Sequence, residues 1–140
     1  MSWLLDTVVI SELRKGPKCD AAVLAWQAST AGQRTFISVI TLNEIWFGIE
    51  SVKSRDARFA SALREWYEGS LIPSFQGSFL PVGRQVAEIA DELRCSQALS
   101  FNDALIAASA SVHGLTLATR NEADFAETRI AVINPWRFVT

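Results

Sequence analysis

Short apolar runs alternate along this chain with longer stretches in which apolar residues recur every three or four positions. The runs have the length of strands, and the spaced stretches have the period of helices packed on one face. Trp3-Leu4-Leu5 predicts a first strand ending at Asp6-Thr7, and Val8 to Arg14 a helix stopped by Lys15-Gly16-Pro17. Asp20 suits the cap of a second helix with Ala21, Leu24, Ala25 and Ala28 on one side, followed by a strand at Thr35-Phe36-Ile37. Leu42, Ile45, Trp46 and Ile49 are spaced for a helix from Thr41. Phe59, Leu63 and Trp66 predict another over residues 55–68, ended by Gly69 and Pro73. A third strand is expected from Phe79 to Val82, then a helix bearing Val86, Ile89, Ala90 and Leu93. The last helix runs from Phe101 to His113, where Gly114 stops it, and strands at Leu115 to Ala118 and Ile130 to Ile133 complete the set.

Strands joined through helices form parallel pairs, so the pattern implies an α/β fold. The expected architecture is a three-layer α/β/α sandwich with a central parallel sheet of four to five strands. No linker or repeat divides the chain, and 140 residues suit one domain spanning 1–140. In open sheets of this kind, ligands sit beyond the carboxyl ends of the strands.

Composition narrows the chemistry. With 49% hydrophobic and 20% charged residues, the chain has material for one core and is neither a disordered tail nor a disulfide-stapled mini-protein. No apolar run approaches the ~20 residues of a membrane span. The opening Met1-Ser2-Trp3-Leu4-Leu5-Asp6 lacks the basic start and long apolar core of a signal peptide, so a cytoplasmic protein without membrane contact is expected. A net charge of −2 gives no general attraction to polyanions, so nucleic-acid binding would need a local patch. Arginine supplies ten of the 13 basic residues, which suits bidentate contacts with phosphate or carboxylate and is equally the mark of a GC-rich genome. Cys19 and Cys95 lack metal-ligand spacing, and His113 is the single histidine, so a zinc site or a catalytic histidine pair is excluded within one chain. His113, just before Gly114, reads as a favourable cation at a helix C-terminus.

Carboxylates, hydroxyls or a metal must then do any chemistry. Asp6 directly follows the first strand, and Asp124 lies shortly after the fourth. Glu44 and Asp103 are expected in the first turns of helices that begin near the same rim. Convergent carboxylates repel one another unless a cation intervenes, and a hard divalent ion with oxygen ligands resolves the repulsion. Such an ion also suits phosphodiester hydrolysis without histidine. Each acid alone reads more readily as a helix cap than as a ligand, and the convergence of all four is what favours a metal. Thr41-Leu42-Asn43-Glu44 has the form of a capping box, Ser100-Phe101-Asn102-Asp103 is close to one, and Asp6 and Asp124 each stand before a helix or turn. Trp46 and Trp66 lie on helical stripes and are expected in core or dimer packing, with a groove for a partner helix as the alternative for Trp46-Phe47.

At these residues the chain resembles the PIN-domain ribonucleases, notably the VapC and FitB toxins of type II toxin–antitoxin pairs. Leu4-Leu5-Asp6-Thr7-Val8-Val9-Ile10-Ser11-Glu12 looks like the family's opening, and Ile37 to Ile45 is similar to its second acidic motif. Asn102-Asp103-Ala104-Leu105-Ile106-Ala107-Ala108 resembles the third motif, and Leu117-Ala118-Thr119-Arg120-Asn121 with Asp124-Phe125 the fourth. Ile133-Asn134-Pro135-Trp136 is similar to the closing segment, and the ordered set covers essentially the whole chain.

The resemblance implies a Mg²⁺- or Mn²⁺-dependent endoribonuclease, a homodimer, held inactive by a small VapB-type antitoxin whose C-terminal segment covers the site. Asp6, Glu44 and Asp103 match the three metal-facing acids, with Asp6 and Asp103 as direct ligands, and Thr119 matches a hydroxyl that organises the site. Glu44 would hold or deprotonate the attacking water, and Arg120 is a candidate phosphate contact or an exposed structural arginine. Val8 stands where the family often has Asn, and Asn121 where it often has a fourth acid. Asp124 or the amide oxygen of Asn121 fills that position, and the number of metals stays open. The alternative is a catalytically weakened PIN-fold protein that binds RNA or a partner without cleaving. A phosphoacceptor domain is disfavoured because no lysine follows Lys53, and an aspartyl phosphatase because Val8 replaces its second Asp.

Overall fold

Trp3 and Leu5 share one face of the first strand and Leu4 the other, and all three are buried, so this strand must be covered on both sides. The computed structural model describes all 140 residues and supplies that cover. Strand β1 (Ser2–Leu5) leads into α1 (Thr7–Leu13), α2 (Ala21–Ser29) and β2 (Arg34–Ser38). Then come α3 (Val39–Val52), α4 (Ala57–Trp66), a single turn α5 (Ile72–Ser74) and β3 (Phe79–Leu80). The chain finishes with α6 (Arg84–Ser96), α7 (Phe101–His113), β4 (Thr116–Ala118) and β5 (Val132–Ile133). All strand pairs are parallel, in the order β3-β2-β1-β4-β5, with Leu4 opposite Phe36 on one side and Leu117 on the other.

That order decides where the helices go. From β1 the chain steps outward to β2 and β3, and right-handed crossovers place the intervening helices on one face of the sheet. It then returns past β1 to β4, which puts α6 and α7 on the opposite face. Two apolar cores result. Trp3, Leu5, Val9, Ile10, Trp26 and Ile37 fill the first, where Trp3 and Trp26 meet edge to face at 5.4 Å. Leu4, Leu117, Ile106, Ala107 and Phe125 fill the second. Every residue of α7 from Ala104 to Ala110 is buried, because the helix is wedged between the sheet and α6. Its small, apolar-all-round sequence suits that position. The direction of strand progression reverses between β1 and β4, so the crevice for a ligand opens at their carboxyl ends.

Three local expectations are corrected. Helix α3 begins at Val39, and Ser38 is its cap, its hydroxyl accepting from the Ile40 N–H at 3.0 Å. Ser38 keeps extended backbone angles as the last residue of β2, so its side chain reaches the helix start three residues before the expected cap. Thr41 therefore lies inside the helix, fully buried, and Glu44 in its second turn. The helix after Trp66 does not stop at Gly69: it widens into a π turn over Tyr67–Leu71 and runs on through Ile72–Ser74. Pro73 is tolerated at the start of that turn, where its missing N–H costs nothing, and Leu71 anchors the segment in the core. The later strands β3, β4 and β5 are shorter than their apolar runs, with two residues each in β3 and β5, whereas β1 and β2 extend beyond theirs to Ser2 and to Arg34 and Ser38. His113 closes α7, with Gly114 at φ +62° as the left-handed cap. No helix is long and apolar enough to cross a membrane.

Candidate active site

Asp6 prolongs β1 by one rung, its N–H donating to the Ala118 carbonyl at 3.0 Å. Thr119 prolongs β4 in the same way, donating to the Ile133 carbonyl at 3.0 Å. The two side chains meet at the switch point: the Thr119 hydroxyl donates to Asp6 Oδ2 at 2.7 Å, with both residues buried. Asp6 Oδ1 accepts from the Thr7 N–H at 2.8 Å, so Asp6 is also the cap of α1. The Asn121 N–H donates to Thr119 Oγ1 at 3.1 Å and holds that hydroxyl in place.

Glu44 is reached from both layers of helices. Thr7 donates its hydroxyl to Oε1, and Asn102, at the second position of α7, donates Nδ2 to Oε2 at 3.3 Å. The hydroxyls of Thr7 and Thr41 lie 3.1 Å apart. Thr7 has one hydroxyl proton, which goes to the carboxylate, so Thr41 donates to Thr7. Thr7, Thr41 and Asn102 went unnoticed as site residues in the sequence. Their signal is weak: two adjoin an acid, and the third precedes Glu44 by three positions.

Asp103 sits at the third position of α7. Ser100 is the cap, its hydroxyl accepting from the Asp103 N–H at 3.2 Å, so the Asp103 carboxylate is not needed as the N-cap. Asp124 lies inside the short 3₁₀ turn Glu122–Phe125, whose cap position is Asn121, so the expected cap role for Asp124 does not hold. Both Asp124 and Asn121 are exposed. Arg120 is exposed as well, with its guanidinium 5.1 Å from the centre of the Trp136 ring.

Burial pushes the Asp6 carboxyl above its ordinary range, its bonds to Thr119 and Thr7 pull it back, and the charges of Asp103 and Glu44 add to the rise. Burial also raises Asp103, opposed by Ser100 and reinforced by Glu44 and Asp124. Asp6, Glu44 and Asp103 thus lie within one another's field and Asp124 within that of Asp103, yet none of the four takes part in the chain's ion pairs. No three carboxylates close tightly enough to enclose one ion. Two carboxylates with water completing the shell is the habit of Mg²⁺, and Asp6 and Asp103 are the two acids whose charged forms burial disfavours. This oxygen donor set fits a hard divalent cation.

The raised carboxyls have a consequence for stability. Above the unfolded-state value of 3.8, the native state holds more protons than the unfolded chain. The contribution of these two groups to the stability of the metal-free protein is therefore fully present below 3.8 and is lost as pH rises through the raised native values. In thermal melts in EDTA, the wild-type melting temperature should fall relative to that of Asp6→Asn as pH rises across this interval. A wild-type melting temperature that climbs across this interval more than the variant's would contradict the assignment.

Comparison with known proteins agrees with this fold. A family model described as the PIN domain matches residues 3–131. The toxin FitB of Neisseria gonorrhoeae is 35% identical over 138 residues, covering 95% of this chain and 97% of that protein. The VapC ribonuclease Y4jK of Sinorhizobium fredii is 33% identical, covering 95% and 96%. The crystal structure of FitAcB from Neisseria gonorrhoeae superposes with a TM-score of 0.86 at 34% identity, over 97% of this chain and 99% of that one. With the parallel sheet, the acids at its switch point and these matches in agreement, the chain belongs to the PIN domain family.

Proposed function

We propose that this PIN domain is a Mg²⁺- or Mn²⁺-dependent endoribonuclease and the toxin of a type II toxin–antitoxin pair. The carrying observation is the set of unpaired acids, two of them destabilised as anions, at the sheet's switch point. Relatives named as a toxin and as a ribonuclease, similar over nearly their whole length, support the same reading.

Asp6 and Asp103 would hold the ion, which when bound supplies a water of lowered pKa and positive charge beside the phosphoryl oxygens. Glu44, held at both oxygens by Thr7 and Asn102, is the group that orients the attacking water and takes its proton. Thr119 fixes the Asp6 carboxylate through Oδ2. Asp124, whose charge reaches Asp103, serves as the fourth acid, and Asn121 contributes through its backbone. A weakened, non-cleaving protein is disfavoured by Asn102, which gives Glu44 an amide partner even though Val8 provides none. Asn102→Ala should lower kcat about tenfold, the size of one charge-assisted hydrogen bond. An unchanged kcat would remove Asn102 from the site.

The neutralising partner has a place to bind. A cleft of about 240 Å³ starts at Thr7 and Glu44 and is walled by Arg14, Phe59 and Trp66. Arg14 and Trp66 also line a cavity of about 410 Å³ between α1, α2 and α4, which includes Trp26, Gln33 and Phe75. The two hollows share Arg14 and Trp66, and their mixed apolar and polar walls suit the C-terminal segment of a VapB-type antitoxin lying across the site. We further place the chain in the cytoplasm, as a single-domain unit that forms a homodimer.

The direct test is cleavage of single-stranded RNA by purified, antitoxin-free protein in Mg²⁺, Mn²⁺ or EDTA. Metal-dependent cutting is expected. Equal cutting in EDTA, or none across a broad RNA panel, would overturn the reading.

A further inference from the structure

We infer that Arg120 and Trp136 form a binding subsite for a nucleotide of single-stranded RNA, on the β4–β5 side of the carboxylates. The inference rests on the ribonuclease reading and adds where the substrate is gripped. Arg120 directly follows Thr119, the residue whose hydroxyl holds Asp6, and precedes Asn121, whose N–H donates to that hydroxyl, so the loop that carries the subsite starts at the candidate site. Its guanidinium lies 5.1 Å from the Trp136 ring centre, and Trp136 is itself half-buried against the core of β1, α1 and α2.

The two loops are tied together. Asn134 Nδ2 donates to the Arg120 carbonyl and to Glu122 Oε1, each at 3.4 Å, and Asn134 Oδ1 accepts from the Trp136 N–H at 3.0 Å. Glu122 pairs with Arg137 at 2.9 Å and so leaves Arg120 unneutralised. Arg120 takes part in no ion pair. A cluster of acids in a chain of net charge −2 repels a polyanion, and a free cation on the loop that leaves the site offsets that repulsion locally. An arginine laid on an indole keeps its edge N–H groups for a phosphate and its open face for a base, and pays little ordering entropy because the stack holds it. Unpaired bases are available for such stacking only in single strands and loops.

Stacked arginines are common in this chain, and position separates them. Arg64 and Arg94 lie over Trp46 and Phe101 but are already ion-paired, and Arg14, over Phe59, belongs to the hollows assigned to the antitoxin. Arg34, over Phe36 at 4.8 Å, starts β2 at the opposite end of the sheet and serves as the control.

The test measures binding of a fluorescein-labelled single-stranded oligoribonucleotide to the cleavage-deficient Asp103→Asn protein, and KM in the active background, at one salt concentration. Arg120→Ala should weaken Kd and raise KM about tenfold, the size of one lost base stack, with a smaller change in kcat. Arg120→Lys, which keeps the charge but not the flat face, should recover only part of the loss. Arg34→Ala should bind RNA as the parent does. Equal losses in Arg120→Ala and Arg34→Ala would overturn the subsite in favour of bulk charge. An unchanged RNA Kd with weakened antitoxin binding would overturn it in favour of partner docking. If the wild type cleaves RNA while Arg120→Ala matches it in Kd and KM, the subsite falls and the ribonuclease stands. A wild type that neither binds nor cleaves RNA removes both.

Discussion

Asp103→Asn is expected to cut RNA cleavage by about a thousandfold, since a metal-bound carboxylate supports several kcal/mol of transition-state charge stabilisation. The substitution keeps size and shape while removing one of the two anions assigned to the ion. It should not unfold the protein. The capping hydrogen bond here runs from the Asp103 backbone N–H to Ser100, and an amide side chain leaves it intact. Burial and the charges of Glu44 and Asp124 all oppose the wild-type carboxylate, and those penalties vanish in the variant. The metal-free melting temperature should therefore rise, while the further rise that Mn²⁺ gives the wild type, by binding only the folded state, should shrink. Initial rates at saturating Mn²⁺ and melts with and without the ion check both halves. Cleavage within tenfold of wild type, or an Mn²⁺ shift as large as the wild type's, would remove Asp103 from the metal site. A gain in stability coupled to a loss of chemistry is the signature of a site held together at a cost to the fold.

Leu4→Ala should show the opposite signature. Leu4 has no exposed surface, lies at the centre of the sheet between Phe36 and Leu117, and packs into the core shared with Ile106 and Ala107 of α7. Truncating it leaves a cavity that rigid neighbours on three elements cannot close, at a cost of about 3 kcal/mol. In a chain of this length that lowers the melting temperature by roughly 10 °C. Urea unfolding should reach its midpoint earlier with an unchanged slope, because the surface exposed on unfolding stays the same. Turnover per folded molecule should fall far less than in Asp103→Asn, since no group of the site is removed. A midpoint shift worth under about 0.5 kcal/mol would show that the cavity collapses and that β1 is not pinned as described.

The two variants separate what each part of the chain contributes. Apolar periodicity alone gave the alternation of strands and helices, the three layers and the places after each strand where Asp6 and Asp124 would stand. These are local properties: a buried strand needs a short apolar run, and a helix on a sheet needs an apolar stripe, whatever the rest of the chain does. The errors were local competitions won by tertiary context. Thr41 has the composition of a cap, but Ser38 lies where β2 ends and takes the role, and Thr41 is drawn into the interior to support Thr7. Gly69 and Pro73 read as stops, yet burial of Leu71 carries the helix past both through a π turn.

By itself, then, the sequence determined the elements, their order and the acids worth examining. The tertiary structure decided the sheet order that brings Asp6 against Thr119, and the donors that hold Glu44. It also decided which arginine, 120 or 137, is left without a partner. Asn102 and Glu44 are 58 positions apart, and Thr119 and Asp6 are 113. Hydrogen bonds over such separations exist only once the sheet has closed the loops between them, so no spacing along the chain can announce them.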